Sequence, residues 1–301
     1  MKRPIRQLGV GLAGLALIAG ARAAPQPSWD PITWNGERAL ASTSQGWRAV
    51  VSLARARLMA FGPADGGANL LLAPPTRANR NMLGGHRLWL GPQSTWPGGW
   101  PPPAAWEYNE PESWQADGGT LRLVMGDAGD GWPRLTRVYA WDGPHLVCRA
   151  EIAGGTRAVQ IVHIFQVPAG NVVAAMAQPE AAFPAGYVEL PSTAGPFAAE
   201  FTVPPHVTRN GDAIRLHHTG KVMKFGFRPQ DLAGRSAGRT LQVRRGPMSG
   251  TPTGAPDEGF FTQVYLSGPD GSFIELEQLS PIFTAGTAAS FEVVLDGTDG
   301  S

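Results

Sequence analysis

Apolar and polar residues alternate with a period of two along most of the chain, and turn residues separate the alternating segments. No segment keeps the helical period of about 3.6 residues over three turns. The alternation therefore predicts an all-β protein. The clearest predicted strands span residues 46–53, 58–61, 69–72, 120–125, 134–141, 145–152, 157–167, 199–203, 213–216, 221–227, 239–244, 260–266, 272–279 and 290–295.

Several predicted strands are apolar on both faces, as in the segment VQIVHIF that ends at Phe165. A barrel around water would expose one face of each strand, so this pattern favours a single large β-sandwich in which both faces are covered. Residues 24–301 contain no Pro/Ser/Gly linker between self-contained halves and no repeat of about 40 residues. We therefore expect one domain over 24–301.

The N-terminus has the features of a secretory signal peptide. Basic residues precede an apolar run from Leu8 to Ile18, and Ala21-Arg22-Ala23 follows as a small-residue cleavage site. We expect residues 1–23 to be removed and the mature protein to be periplasmic or secreted. No later segment reaches the roughly 18 apolar residues of a membrane-spanning helix.

Charge and cysteine content exclude several function classes. Residues 1–23 hold four of the 25 basic residues and none of the 24 acidic ones, so the formal charge of +1 becomes 21 minus 24, or −3. This balance argues against nucleic acid or anionic lipid as a partner. Cys148 is the only cysteine, which excludes an internal disulfide and any Cys-based zinc site. We expect no metal, no cofactor and a buried Cys148.

Three short motifs have ordinary explanations. The segment GRSAG at 234–238 matches the G-x-S-x-G of serine hydrolases, but a strand-like sequence follows it, so Ser236 is predicted to be a loop residue. The segment from Asp127 to Asp130 lacks the spacing of an EF-hand loop. His217 and His218 would point to opposite faces of a strand, which is poor geometry for one metal.

The segment FIELEQL carries two acidic residues at a strand period. Phe273, Glu275, Glu277 and Leu279 would share one face, with the carboxylates about 7 Å apart. The pair is either an exposed polar face or a buried pair, in which at least one pKa would rise toward neutrality. His163 shares a face with apolar neighbours and is either a core histidine or a functional one.

Aromatic residues are concentrated in residues 84–106, among Gly and Pro. Sugars present C–H patches and hydroxyl groups, so a sugar site needs flat aromatic surfaces and fixed polar groups. Trp96 and Trp100 are the predicted exposed platforms, while Trp89 fits a core position equally well. His86 and Arg87 would bind hydroxyl or carboxylate groups.

Two long segments resemble galactose-mutarotase-like proteins: residues 141–170, with a hairpin and a histidine-bearing strand, and FIELEQLSP with the terminal strand. The chain is most similar to an uncharacterised bacterial branch of that superfamily, a domain of unknown function. The shared pattern is GGHRLW at 84–89, K-x-G at 224–226, Pro256-Asp257 and ELE at 275–277. Ala255 and Gln263 depart from the Tyr and Glu of that pattern.

The resemblance implies a β-supersandwich with a carbohydrate groove on the concave face of one sheet. It makes an exported carbohydrate-binding protein the first hypothesis, with Lys224 and Asp257 as further binding residues. The alternative is an aldose 1-epimerase-like isomerase, with His163 as acid and Glu277 or Glu275 as base. A second alternative is a structural envelope protein whose aromatic segment holds a protein partner.

Overall fold

The computed structural model describes residues 26–74, 84–96, 98, 101–181, 184–190, 207–236, 238–269 and 272–299. The predicted signal peptide, the predicted strand 199–203 and Trp100 lie outside these residues. The strands are β1 (Asp30–Trp34), β2 (Glu37–Ser44), β3 (Trp47–Ser52), β4 (Arg57–Pro63), β5 (His86–Gly91), β6 (Ser113–Asp117), β7 (Thr120–Val124), β8 (Arg134–Asp142), β9 (His145–Ala153), β10 (Gln160–Pro168), β11 (Val172–Met176), β12 (Val188–Glu189), β13 (Val207–Asn210), β14 (Ala213–His217), β15 (Met223–Phe227), β16 (Leu232–Ser236), β17 (Arg239–Ser249), β18 (Pro252–Gly254), β19 (Thr262–Leu266), β20 (Phe273–Leu279), β21 (Ile282–Phe283) and β22 (Ala289–Asp299).

Helical structure in the described residues is confined to short pieces. One turn of α-helix, α1, spans Ala104–Glu107, and 3₁₀ turns span Gln93–Thr95 and Asp257–Gly259. None of the helices in these ranges has the length and hydropathy required to cross a bilayer.

Two large antiparallel sheets form the body of the fold. The front sheet has six strands in the order β12-β15-β19-β20-β10-β5, and the back sheet has ten in the order β13-β14-β11-β16-β17-β22-β9-β8-β7-β6. A sheet of four strands, β1 to β4, and the pair β18-β21 complete the described topology.

The core lies between the front and back sheets. Phe165 and Ile274 of the front sheet and Val293 and Leu295 of the back sheet are all fully buried in one apolar cluster. Such burial supplies most of the stabilisation of a sandwich, because each large apolar side chain removed from water contributes about 1.5–3 kcal/mol. The architecture confirms the predicted β-sandwich.

Most of the predicted strands are present, and Cys148 is a buried thiol as expected. Residues 69–72 are not a strand, because the Asn69 side chain binds the backbone of Met59, Phe61 and Leu71 in place of a ladder. The loop predicted at Ser236 is also wrong, since this residue ends β16, which pairs with both β11 and β17.

The two glycines before His86 allow β5 to begin beside β4. Gly84 and Gly85 have φ of +70° and +68°, and a Cβ on either would overlap a backbone carbonyl, that of Leu72 or Leu58. Only glycine combines positive φ with so close an approach. The pair therefore fixes the point from which Arg87 and Trp89 extend.

Candidate functional site

The front sheet has an inner face against the back sheet and an outer face that carries charged residues. The register places Glu275 opposite Gln166 on β10 and opposite Tyr265 on β19. Glu277 lies opposite Ile164 and Gln263 in the same two strands. Directly paired residues point to the same side of a sheet. The predicted acidic pair is therefore confirmed as one face of β20, and that face is the outer one.

Both carboxylates are almost buried. Glu275 is 6% exposed and Glu277 is 5% exposed. Burial raises the pKa of Glu275, although Arg87 and a hydrogen bond of 2.8 Å from Gln166 Nε2 to Glu275 Oε1 oppose the rise. Burial also raises the pKa of Glu277, to about 7, and the charge of Glu275 adds to the effect. Glu277 is thus close to half-titration at neutral pH.

Cations alternate with the carboxylates across this face. Arg87 Nε lies 2.5 Å from Glu107 Oε1, and Arg87 NH1 lies 3.5 Å from Glu275 Oε1. Lys224 Nζ lies 3.1 Å from Glu258 Oε2 and 3.7 Å from Glu277 Oε2. Burial alone would lower the pKa of Lys224, but the two carboxylates raise it overall, so the ammonium group stays charged. We call Arg87, Glu107, Lys224, Glu258, Glu275 and Glu277 the outer-face cluster.

Glu107 anchors one end of the cluster from helix α1. Its carboxylate accepts from Trp89 Nε1 at 3.1 Å and lies 2.9 Å from Arg57 NH2. Burial would raise the pKa of Glu107, but Arg57 and Arg87 lower it overall. An ionised Glu107 therefore holds the Arg87 and Trp89 side chains in fixed positions.

Side-chain exposure is low at the Glu107 end of the cluster and highest at the Glu258 end. It is 0% for Glu107 and 2% for Arg87, 8% and 6% for Glu275 and Glu277, then 20% for Lys224 and 32% for Glu258. Solvent therefore reaches the acidic pair from the side of Lys224 and Glu258. A ligand of the pair would enter from the same side.

His163 and His86 lie on the inner face and are not part of this cluster. His163 pairs with Gln278 and Leu88, which point away from the two glutamates. Its Nε2 lies 3.2 Å from Phe291 O, and its Nδ1 lies 3.0 Å from His86 Nε2. Burial lowers the pKa of His163 to about 3. The predicted acid–base pair of His163 and Glu277 is therefore wrong, because the sheet separates the two side chains.

The prediction of His86 as a hydroxyl-binding residue is wrong for the same reason. Its ring stacks on Phe165 with a centroid distance of 4.4 Å, and it is 1% exposed. Burial lowers its pKa well below the ordinary value, so the imidazole is neutral. His86 is a core residue with hydrogen-bond partners on both ring nitrogens.

Trp96 differs from the exposed platform that its Gly/Pro context predicted. Trp96 is 4% exposed, and its Nε1 donates to Leu90 O at 2.8 Å, so that prediction is wrong. Trp89 is 9% exposed, packs edge-on against Trp96, and has the Arg87 guanidinium 4.6 Å from its ring centroid. Trp89 thus forms an apolar wall beside Arg87.

Asp257 braces the edge of the outer face. Its Oδ2 accepts from the Gln93 amide at 2.6 Å and from Gln160 Nε2 at 3.2 Å. The first bond ties the 3₁₀ turn after β5 to the 3₁₀ turn before β19, and the second ties that turn to the start of β10. The neighbouring residue Glu258, rather than Asp257, reaches Lys224.

Sequence reasoning missed Glu107, Glu258 and Gln166. Glu258 follows Asp257 directly, so the same turn motif could have identified it. Gln166 is a polar residue on the same face as Ile164 in a mostly apolar strand, which is a detectable signal. Glu107 lies in a single helical turn between prolines, where no periodicity marks a buried side chain.

Comparison with known proteins gives the fold. No family model and no curated protein matches the sequence. A candidate mutarotase from Salmonella typhimurium is 14% identical, with 92% of this chain and 95% of that chain covered and a TM-score of 0.57. A galactose mutarotase-like protein from Lactobacillus casei is 9% identical, with 86% and 100% covered and a TM-score of 0.56. A candidate aldose 1-epimerase from Escherichia coli K12 is 13% identical, with 85% and 97% covered and a TM-score of 0.55. The chain has the fold of galactose mutarotase-like proteins.

Proposed function

We propose that the outer face of the front sheet binds a carbohydrate at Glu275 and Glu277. The observation that carries this proposal is the adjacent, nearly buried acidic pair, whose residual exposure opens toward Lys224. Two like charges held together in a desolvated position destabilise a fold, and such groups are concentrated at functional sites. The fold shared with mutarotase-like proteins is consistent with a sugar as the ligand.

The chemistry of the cluster suits a polyhydroxylated ligand. A hydroxyl group donates one hydrogen bond and accepts others, so a sugar needs acceptors and donors side by side. Glu275 and Glu277 supply acceptors, Lys224 supplies donors, and Trp89 supplies an apolar wall for C–H groups. Arg87 is held by Glu107 and contacts Glu275, so the Glu275 carboxylate is kept in a fixed position.

Saturation-transfer NMR tests the proposal. The probes are neutral hexoses, glucose, galactose and mannose, and their methyl glycosides. Removal of a charged partner from a sugar hydroxyl costs about 1.5–3 kcal/mol, or roughly 10- to 150-fold in affinity, so Glu275→Gln and Glu277→Gln should both weaken binding by at least about tenfold.

Glu110→Gln is the matched control, because Glu110 is a surface residue paired with Arg38. This variant should bind like the wild type. Wild-type protein that binds none of these probes would refute the proposal, and unchanged binding by both acidic-pair variants would place the site elsewhere.

A second candidate function, aldose 1-epimerase-like isomerisation, is favoured by the pKa of about 7 at Glu277. A general acid or base works best when its pKa lies near the operating pH. Glu277 would take the proton of the anomeric hydroxyl, and the Lys224 ammonium would donate to the ring oxygen as the ring opens. His163 has no part in this chemistry because it lies on the inner face.

Exchange NMR between the α and β anomers of galactose tests the second candidate. Acceleration by the wild type that is lost in Glu277→Gln and Lys224→Met, and kept in folded His163→Phe, is the expected result. If the wild type binds galactose but does not accelerate exchange between the anomers, the isomerase function is refuted and only the binding function remains. Loss of activity in folded His163→Phe would contradict the assignment of the acid.

We also propose that the protein is exported, because its first 23 residues have the charge, apolar run and cleavage site of a signal peptide. N-terminal sequencing of the mature protein should begin near Ala24. A mature chain that starts at Met1 would contradict export.

A further inference from the structure

Three arginines and one glutamate are buried together behind Trp89. Arg57, Arg87, Arg137 and Glu107 are all between 0% and 1% exposed. Glu107 is the carboxylate that contacts Arg57 and Arg87. Three guanidinium groups against one carboxylate leave a formal charge of +2, and Glu275, which touches Arg87, reduces it to +1 when ionised. We call Arg57, Arg87, Arg137 and Glu107 the arginine cluster.

Arg57 and Arg137 meet at the end of α1. Arg57 NH2 donates to Glu107 O at 2.8 Å, and Arg137 NH2 donates to the carbonyl of the preceding residue, Trp106. Since these carbonyls belong to consecutive residues of one helical turn, the two guanidinium groups are neighbours. Their mutual repulsion is part of the reason why the pKa of Arg57 falls, after burial, to about 10.

Part of each guanidinium group has no acceptor in the protein. Within the described residues, Arg57 Nε and both Nε and NH1 of Arg137 are buried without a hydrogen-bond partner. The Tyr139 hydroxyl accepts a hydrogen bond from the Leu58 amide and also contacts Arg137, but a hydroxyl accepts at most two hydrogen bonds, so it can satisfy no more than one Arg137 N–H. A buried, unsatisfied N–H of a charged group destabilises the fold more than that of a neutral group.

The positive charge of the cluster is removed neither by deprotonation of an arginine nor by the nearest titratable rings. Arginine does not lose its proton near neutral pH, and a pKa of about 10 keeps Arg57 charged. The nearest titratable rings, His86 and His163, are neutral because burial lowers both pKa values. The excess positive charge and the unused donors therefore require an acceptor from solution.

We propose that the arginine cluster binds a small inorganic anion of the size of chloride between Arg57 and Arg137. The anion would accept from Arg57 Nε and from Nε or NH1 of Arg137, and it would neutralise one of the excess charges. The site is separate from the outer-face acidic pair, because its donors belong to Arg57 of β4 and Arg137 of β8, which lie outside the front sheet. It is occupied as the chain folds, since its donors are buried in the folded protein.

Thermal unfolding in different sodium salts tests the anion. At constant ionic strength, replacement of methanesulfonate, which is larger than a halide ion, by chloride or bromide should raise the Tm of the wild type in a saturable way. Arg137→Gln should lose this increase. Arg38→Gln, which removes an exposed arginine, should keep it. An equal effect of chloride on all three proteins, or none on the wild type, would refute the proposal.

Crystals of wild-type protein refolded in bromide give a second measurement that does not depend on a variant. Anomalous scattering should show one bromide within hydrogen-bond distance of Arg57 Nε and of Nε or NH1 of Arg137. Density at that position without an anomalous signal would show water instead and would overturn the proposal.

Discussion

The two inner-face histidines predict a steep loss of stability in acid. Phe291 O can only accept, so His163 Nε2 carries its proton and His163 Nδ1 accepts from His86 Nε2. His86 Nδ1 then accepts from the Tyr139 hydroxyl at 3.3 Å. Every ring nitrogen in this series is used by the neutral form. Protonation of His163 would place its Nδ1–H against the Nε2–H of His86, and protonation of His86 would place Nδ1–H against the donating Tyr139 hydroxyl.

The size of the effect follows from the pKa of His163, which is about 3 in the folded protein against an ordinary value of 6.5. Because the folded value is depressed, the contribution is complete above pH 6.5 and is lost as the pH falls toward 3. At about 1.4 kcal/mol per pH unit, His163 alone removes about 2 kcal/mol by pH 5 and about 4 kcal/mol by pH 3. His86 acts in the same direction.

Urea unfolding between pH 7.5 and about pH 5 measures this contribution when the wild type is compared with His163→Phe. The variant should lose stability at pH 7.5, because His86 Nε2 loses its acceptor, but its free energy of unfolding should fall less steeply with acid. The difference in slope should approach 1.4 kcal/mol per pH unit below about pH 5.5. The raised pKa values of buried carboxylates increase the free energy of unfolding as the pH falls. They do so in both proteins, so this effect cancels in the comparison.

Ile161→Val is the matched control, since Ile161 is buried on the same face of β10 and does not titrate. It should lower stability by about 0.5–1.5 kcal/mol at every pH. Parallel pH profiles for the wild type and His163→Phe would refute a neutral, buried His163.

Three further substitutions test the outer face and its supports. Because the folded pKa of Glu277 is about 7 and the ordinary value is 4.5, its charge destabilises the fold fully above pH 7 and not below pH 4.5. Glu277→Gln should therefore be more stable than the wild type by up to about 3 kcal/mol at pH 8 and equal to it near pH 4, and equal stabilities at both would contradict its burial. Gly226→Ala places a Cβ 2.5 Å from the Phe260 ring and should lower the free energy of unfolding by about 1–3 kcal/mol, whereas Gly170→Ala, with open space around it, should cost little. Arg87→Lys keeps the charge but not the two simultaneous carboxylate contacts, so calorimetry should show a loss of about 1–3 kcal/mol, and an unchanged Tm would refute the bridging role.

Alternation within a strand was sufficient to sort side chains by face. It placed Glu275 with Glu277 on one side of β20 and His163 with Ile161 and Phe165 on one side of β10, and the register confirms both. It could not say whether those two sides were the same. That depends on the pairing of strands more than 100 residues apart, where a shift of one residue exchanges the faces.

Context around the tryptophans was less informative. Trp96 lies among Gly and Pro, which predicted exposure, but the 3₁₀ turn before it carries the indole back under Leu90 O. Glu107 was not predicted because a single helical turn has no period to read. Its burial depends on Arg57 and Arg87, which belong to two different strands. Tertiary contacts of this kind have no local signal in a sequence.

Because the Glu277 carboxyl group is near half-titration, binding of a molecule at the outer face is accompanied by exchange of protons with the buffer. Any molecule that covers Glu277, or donates a hydrogen bond to it, must shift the pKa of about 7 and so take up or release a fraction of a proton. The heat of binding would then vary with the ionisation enthalpy of the buffer, and affinity would change with pH around neutrality.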